Sequence, residues 1–367
     1  MQEHTPDRPI RAGVIGLGWA GEQHVAGYTK LPGVQLVAIA GLEEERGRQL
    51  TATYNIPHYF TNYEDLLARD DIDAVSIAVP NYLHAPIGIA ALRAGKHLLC
   101  EKPLALNGDE AKLMVDAAEA AGRVIQVAFN RRQRGDAAVL KRYIDEGGLG
   151  RIYYAKAYWV RRSGIPGLGS WFTSKQLAGG GPLIDLGVHV LDLAMWLLGE
   201  PPVRSVTAST YAELGPRGRG GSPAAGKTGS VAAYEVEDLA TSFIRLEGGR
   251  TLLLEASWAT YSSASDDFGV TLFGTEGGAE IDVKNYGEEQ TLRIFTDVGG
   301  IPADVTPRVR RGEGHLGVVR EFISTIRSGE DPLRSGLEGL RRARIIDACY
   351  ASAEAGRELE VQEDSRG

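Results

Sequence analysis

Up to Phe129 the chain alternates short aliphatic and β-branched runs with amphipathic stretches. The runs Ile10–Ile15, Gln35–Ile39, Ala74–Val79, His97–Leu99 and Val124–Phe129 read as strands. Between them the spacing predicts helices over Glu22–Lys30, Glu43–Tyr54, Tyr63–Ala68, Leu83–Ala94 and Asp109–Ala121. Strands that are apolar throughout, separated by helices, indicate a parallel sheet covered on both faces. After Arg131 the rhythm changes. A helix over Ala137–Glu146 precedes alternating segments at Tyr153–Trp159, Val203–Tyr211, Leu239–Leu246, Thr251–Trp258 and Phe268–Phe273. Glu247-Gly248-Gly249-Arg250 fits a tight antiparallel hairpin. Helices at about His315–Arg327 and Leu337–Ala355 close the pattern. The expected fold class is α/β: a doubly wound Rossmann domain over 8–130, then an α+β domain with an open, mostly antiparallel sheet over 131–360.

Composition narrows the function classes. The 367 residues carry 40 basic and 48 acidic side chains, a formal net charge of −8, with 43% hydrophobic and 24% charged residues. This is a globular composition, and its acidic balance argues against nucleic acid or an anionic membrane as partner. Only Cys100 and Cys349 occur, so a disulfide framework is not expected and a reducing cytoplasm is. Met1–Pro9 does not resemble a signal peptide, and the apolar stretch Pro182–Leu198 contains Asp185, His189 and Asp192, which are costly at membrane depth.

The first chemical motif follows the first strand. Gly16, Gly18 and Gly21 form G-x-G-x-x-G, with Trp19 and Ala20 inside it, between a strand and a helix. In that context Gly16 serves the tight turn, Gly18 the approach of a pyrophosphate, and Gly21 the close packing of helix on strand. The second strand ends at Gly41-Leu42-Glu43, without an acidic residue at its last position. A small residue there can make room for a 2′-phosphate, but no Arg or Lys follows immediately to bind it. Arg46 and Arg48 come later, and Glu43 would repel a phosphate if it points inward, so the reading leans to NAD over NADP. Gly221–Thr228, GSPAAGKT, matches a phosphate loop formally but lacks the buried strand before it, and the Gly, Pro, Ser-rich stretch 213–230 reads as a loop.

Two further motifs carry proton chemistry. Glu101-Lys102-Pro103 follows a strand, at the sheet edge where doubly wound folds bind ligands. Asp185, His189 and Asp192 fall within about 60° on one face of an ideal helix, with Leu186, Val190, Leu193 and Leu197 in an apolar stripe roughly 110° away. A carboxylate–imidazole–carboxylate row is therefore expected. No third ligand stands at a standard zinc spacing, so no metal is expected.

Together with PNYLH (80–84) and VEDLA (236–240), these motifs resemble the glucose–fructose oxidoreductase, inositol dehydrogenase and MocA-like (Gfo/Idh/MocA) oxidoreductases over nearly the whole chain. The resemblance implies reversible hydride transfer between NAD(P) and a secondary alcohol or ketone of a sugar, sugar acid or cyclitol such as an inositol. It implies Lys102, Asp185 and His189 as the catalytic group, with Pro80, Asn81, His84, Glu101 and Asn130 near the cofactor and Glu101 on its ribose. Substrate contacts are implied for Arg131, Trp159, Arg161, Trp171 and Tyr261. A homodimer or homotetramer through the C-terminal sheet is implied as well. An NAD-dependent glycosidase and a non-catalytic nucleotide sensor remain alternatives on the same fold.

Overall fold

The computed structural model describes residues 8–222 and 234–361. Most of the phosphate-loop lookalike and part of the 213–230 loop lie outside the described residues, as does most of the N-terminal stretch Met1–Pro9. The chain forms two compact units, one of 1–130 with 313–343, the other of 131–312 with 344–367.

In the first unit β1 (Ile10–Ile15) leads into α1 (Trp19–Lys30), then β2 (Val34–Ala40), α2 (Glu44–Tyr54), β3 (His58–Phe60), α3 (Tyr63–Leu67) and β4 (Ala74–Ile77). Next come α4 (His84–Arg93), β5 (His97–Cys100), α5 (Gly108–Ala121) and β6 (Ile125–Val127). The six strands are parallel, in the order β3-β2-β1-β4-β5-β6. The strand order reverses between β1 and β4, which opens a crevice beyond their carboxyl ends. Helix starts are chemically marked: Asn62 and Asn107 each accept a backbone N–H two or three residues on, and Gly122 ends α5 in the left-handed region. β3 escaped the sequence reading because three half-exposed residues at a sheet edge carry no apolar run.

The second unit begins with α6 (Gly135–Asp145) and β7 (Ile152–Arg161), followed by α7 (Lys175–Ala178), α8 (Val188–Leu197), β8 (Val203–Tyr211), β9 (Leu239–Leu246) and β10 (Arg250–Ser257). β11 (Asp266–Gly274), β12 (Gly278–Lys284), β13 (Leu292–Val298) and β14 (Ile301–Val305) complete one side of its sheet. The nine-stranded order is β14-β13-β12-β11-β7-β10-β9-β8 and a closing short strand, antiparallel except for β7 beside β10. The Gly248-Gly249 hairpin is present, both glycines at positive φ between β9 and β10. β12 to β14 were not expected from the pattern.

The chain then re-enters the first unit as α9 (His315–Ser328). α10 (Arg334–Ala355) begins there and ends in the second unit, where β15 (Leu359–Glu360) pairs with β8. The linear segment 131–360 is thus not one body. The cause is hydrophobic: Val318, Val319, Phe322, Ile323 and Ile326 of α9 join one buried cluster with Val25 and Tyr28 of α1 and the core of β1 and β2. The 23-residue stretch Lys175–Leu197 is apolar enough to cross a membrane by length and composition, yet 83% of its apolar window is buried inside the protein.

Candidate functional site

In the first unit the site is built largely of backbone. Gly16 sits at φ +102°, and a Cβ there would lie 2.1 Å from the Ala78 carbonyl oxygen. A Cβ on Gly21 would lie 2.0 Å from the Gly16 oxygen. Gly18 differs from both, because a Cβ there would meet nothing within 4 Å. Two glycines are required by the protein's own atoms and the third leaves open space at the start of α1, where backbone N–H groups and the helix dipole attract an anion. These residues fit a dinucleotide pyrophosphate.

The neighbouring groups divide sharply. Trp19 is 69% exposed and meets His315 edge-on at 5.2 Å between centroids, while Ala20 is half-buried in α1. Gly41 and Glu43 stand at the end of β2, with the Glu43 carboxylate 3.3 Å from where a Gly41 Cβ would sit, and Leu42 is 84% exposed. Arg46 is not poised for a 2′-phosphate: its guanidinium is bonded to Glu22 and, at 2.8 Å, to Gln49. Pro80 precedes the short helical turn Asn81–Leu83, in which Asn81 is buried.

His84 is committed to the backbone. Its Nδ1 lies 2.7 Å from the Pro103 oxygen and its Nε2 2.8 Å from that of Val79, tying the segments after β4 and β5 together. Two carbonyl acceptors would suit an imidazolium, but burial outweighs them and holds its pKa below the ordinary value. Glu101 also turns inward. Its Oε1 lies 3.0 Å from His24 Nε2 and 3.5 Å from His315 Nε2, and its Oε2 accepts the Lys102 N–H at 3.2 Å. Burial alone would raise this carboxyl, yet the two imidazoles hold it well below the usual carboxylate range. Asn130 Nδ2 is 3.2 Å from His315 Nε2. His24, Glu101 and His315 bring their ligand atoms within 4.8 Å of one another, a grouping that no sequence spacing announces because it joins α1, the segment after β5, and α9. Lys102 is half-buried at the carboxyl edge beyond β5.

In the second unit the key helix is not regular. Leu183–Gly187 forms a π-helical turn before α8. The wider turn breaks the 100° periodicity on which the expected three-residue row depends. Asp185 accepts from Trp258 Nε1 at 2.9 Å, whereas Asp192 is fully buried and held by Arg132 Nε and Nη2 at 2.8 and 2.5 Å. Asp192 is thus engaged in a buried ion pair with Arg132. The start of this helix is set by Glu237, buried, which accepts the Gly181 and Leu183 N–H groups at 2.9 and 3.0 Å and the Tyr350 hydroxyl at 2.9 Å. Desolvation nevertheless raises the Glu237 pKa. Glu237 lies in the VEDLA motif, the one signal by which sequence could have found it.

His189, 8% exposed, packs on the Trp159 ring at 5.3 Å between centroids. Trp159 is itself 2% exposed and donates to Asp266 at 2.7 Å, so it is a buried plate, not an open stacking face. Arg161 pairs with Asp266 at 2.9 Å and donates to the Tyr286 hydroxyl at 2.9 Å. Arg131 lies over Trp159, Phe268 and Tyr286. Trp171 is half-buried and stacked on Phe172 at 3.8 Å, and Tyr261 is 77% exposed.

A doubly wound sheet with this glycine cradle at its switch point defines a dinucleotide-binding domain. The chain belongs to the GFO/IDH/MocA family: residues 10–129 match the oxidoreductase-family NAD-binding Rossmann domain, and residues 137–280 match the GFO/IDH/MocA C-terminal domain. It is 31% identical over 365 residues to D-glucoside 3-dehydrogenase of Escherichia coli K12, covering 98% of this chain and 100% of that protein. It is 30% identical to levoglucosan dehydrogenase of Pseudarthrobacter phenanthrenivorans, covering 94% of this chain and 96% of that one. A solved levoglucosan dehydrogenase in complex with NADH superposes with a TM-score of 0.84 at 26% identity, covering 97% of this chain and 100% of that chain.

Proposed function

We propose that the protein transfers a hydride between NAD and a secondary alcohol or ketone carbon of a sugar, sugar acid or cyclitol. The observation that carries this reading is the contrast at the fingerprint, where Gly16 and Gly21 are packed against protein and Gly18 faces open space. NAD is favoured over NADP because Glu43 stands at the end of β2 and Arg46 is already paired with Glu22. The names of the relatives, dehydrogenases of glucosides, levoglucosan and myo-inositol, support a polyhydroxylated substrate.

Bound NAD+ would supply the hydride acceptor. This chain's own residues would manage the proton, because oxidising a carbinol requires the hydroxyl proton to leave as the hydride does. His189 is the base in this reading, since an unperturbed imidazole titrates near neutral pH. Asp185 orients the substrate hydroxyl or the imidazole, and Lys102 donates a hydrogen bond to the developing alkoxide. Trp258 and Glu237 act as positioning residues: one fixes the Asp185 carboxylate, the other the helix that carries it. Assembly as a homodimer or homotetramer through the nine-stranded sheet belongs to the same proposal, supported by exposed Tyr153, Val298, Ile301 and Val305. Two buried free thiols, Cys100 and Cys349, suit a reducing cytoplasm.

The test is a panel of sugars, sugar acids and cyclitols with NAD+ and NADP+, followed by absorbance of the reduced nicotinamide. Turnover with NAD+ that disappears in Lys102→Ala, while that variant still binds NADH, supports the reading. Product release without net reduction of added NAD+ would move the assignment to a glycosidase.

A further inference from the structure

Three guanidinium groups gather around the aromatic plate beside His189, and their charges are not balanced alike. Arg134 is held by Asp136, with Nε 3.0 Å from Oδ1 and Nη2 2.7 Å from Oδ2. Arg161 is held by Asp266 and the Tyr286 hydroxyl, and Asp185 acts on it electrostatically as well. Among the described residues Arg131 has no such partner. Its Cζ lies 4.7 Å from the Trp159 centroid, 4.6 Å from that of Phe268 and 5.5 Å from that of Tyr286. Its Nε is buried without a hydrogen bond. No hydrogen bond from its two terminal nitrogens is found among the described residues, and the residue as a whole is half-buried.

A guanidinium carries five N–H donors in a planar fork, and burying it with those donors unused is costly. The aromatic faces return part of that cost through cation–π attraction. The remaining strain shows in its acidity: burial pushes the Arg131 pKa down to about 10, with Arg134 and Arg161 adding like-charge repulsion. Asp266, the acid that acts on it, is already occupied by Trp159 Nε1 and Arg161 Nε. The fork is therefore pre-oriented over the aromatic rings, and among the described residues no carboxylate is bonded to it.

We propose that Arg131 is a recognition point for a carboxylate on the substrate, so that the enzyme acts on an acidic sugar in preference to its neutral counterpart. The inference rests on the sugar-oxidoreductase reading above and narrows it. A carboxylate matches the geometry of the fork through two parallel N–H···O bonds. A phosphate shares that chemistry, but a dianion calls for a second free cation, and Arg134 and Arg161 are both engaged. His189 packs on the same Trp159 ring, which places the proposed base and the proposed anion anchor around one indole.

The experiment compares three matched ligands with NAD+: a methyl glucuronide, the methyl glucoside, and the methyl glucoside 6-phosphate, repeated in the galacto and manno series. Wild type is expected to favour the carboxylate over the neutral glycoside in kcat/KM by on the order of 10- to 100-fold, the effect of a charge-assisted hydrogen-bonded pair. Most of that effect is expected in KM, because the carboxylate is remote from the reacting carbon. Arg131→Met should reduce the acid-to-neutral ratio to about one, and Arg131→Lys should restore part of it. Preference for the neutral or the phosphorylated sugar overturns the inference while leaving sugar oxidation intact, and so does an unchanged ratio in Arg131→Met. If none of the nine compounds is turned over by a protein that binds NADH, the sugar-redox reading fails for this set. Calorimetry of the glucuronides with the NADH complex then decides the anion site alone: binding that Arg131→Met abolishes supports it, and no binding to wild type overturns it. Should Arg131→Met fail to fold, Arg131→Lys and Arg131→Gln carry the same comparison.

Discussion

At the end of β1 the working surface is made by leaving side chains out. Gly16 and Gly21 remove two Cβ atoms so that strand, turn and helix can close on one another, and Gly18 leaves room beyond them. Beside β7 the surface is made by crowding side chains in: Trp159, Phe268, Tyr286, Arg131, Arg161 and His189 share one cluster, with Asp266 bonded to Trp159 and Arg161. The first design binds a group present in every dinucleotide, so main-chain amides suffice. The second sits on a largely antiparallel sheet whose inward residues can vary one at a time, and such a surface suits discrimination between substrates. A backbone site tolerates little change in shape, whereas a side-chain site tolerates shape changes better than changes in charge.

The sharpest test of that contrast lies at Lys102, the one side chain on the glycine-built unit assigned to chemistry. Lys102→Ala is expected to lower kcat by about 10²- to 10⁴-fold, with NADH affinity changed by a few-fold at most. Steady-state rates beside fluorescence titration of NADH check it, and equal losses in both would break the division of labour.

Next in size is the charge pair under the side-chain site. Arg132→Ala removes the cation that meets fully buried Asp192 and is expected to cost roughly 3–5 kcal/mol of stability. The double variant Arg132→Met with Asp192→Leu should recover most of that loss in chemical denaturation, because both charges are then gone.

The glycines should separate from one another. Gly16→Ala forces a Cβ onto a carbonyl oxygen at positive φ and is expected to destabilise by about 2–4 kcal/mol. Gly18→Ala meets no protein atom and should unfold within about 0.5 kcal/mol of wild type. Its NADH affinity should nonetheless fall by about 10-fold or more, since each 1.4 kcal/mol of lost contact is worth that factor. Melting temperature and NADH titration together separate the two glycines.

The smallest effect is a pH slope. The folded pKa of His84 lies below its ordinary value of 6.5, so the unfolded chain takes up the proton first as pH falls. Stability from neutral His84 is present above about pH 6.5 and is progressively lost below it. Urea unfolding across that range should show a shallower slope for His84→Gln than for wild type. Glu101, held low by its two imidazoles, contributes further down the same acid limb: its stabilisation is present above the ordinary value of 4.5 and is lost as pH falls through its lower folded pKa.

Much of the first unit was legible in the chain because parallel strands covered on both faces are near-continuous apolar runs, and β1, β2, β4 and β5 each carry one polar residue in such a run. The short and exposed edge strands β3 and β14 were not, since an edge needs no such run. The pattern in Asp185, His189 and Asp192 was visible, but the π-helical turn after Pro182 was not, because spacing cannot tell it from a regular one. Sequence also left Arg46 available for a phosphate, and only the fold brings it to Glu22.

What the amino-acid order determined by itself was local: apolar periodicity, glycines where a Cβ cannot fit, and a lysine set after a strand. These follow from neighbours within a few residues, which share backbone sterics and one helix or strand. What the tertiary structure decided was which charges are already neutralised. Asp192 meets Arg132 across 60 positions, Glu101 meets His24 across 77, and Arg161 meets Asp266 across 105. Among the described residues no carboxylate is bonded to Arg131, and Coulomb interaction and desolvation depend on distance through space and on burial, neither of which is written in the spacing along the chain.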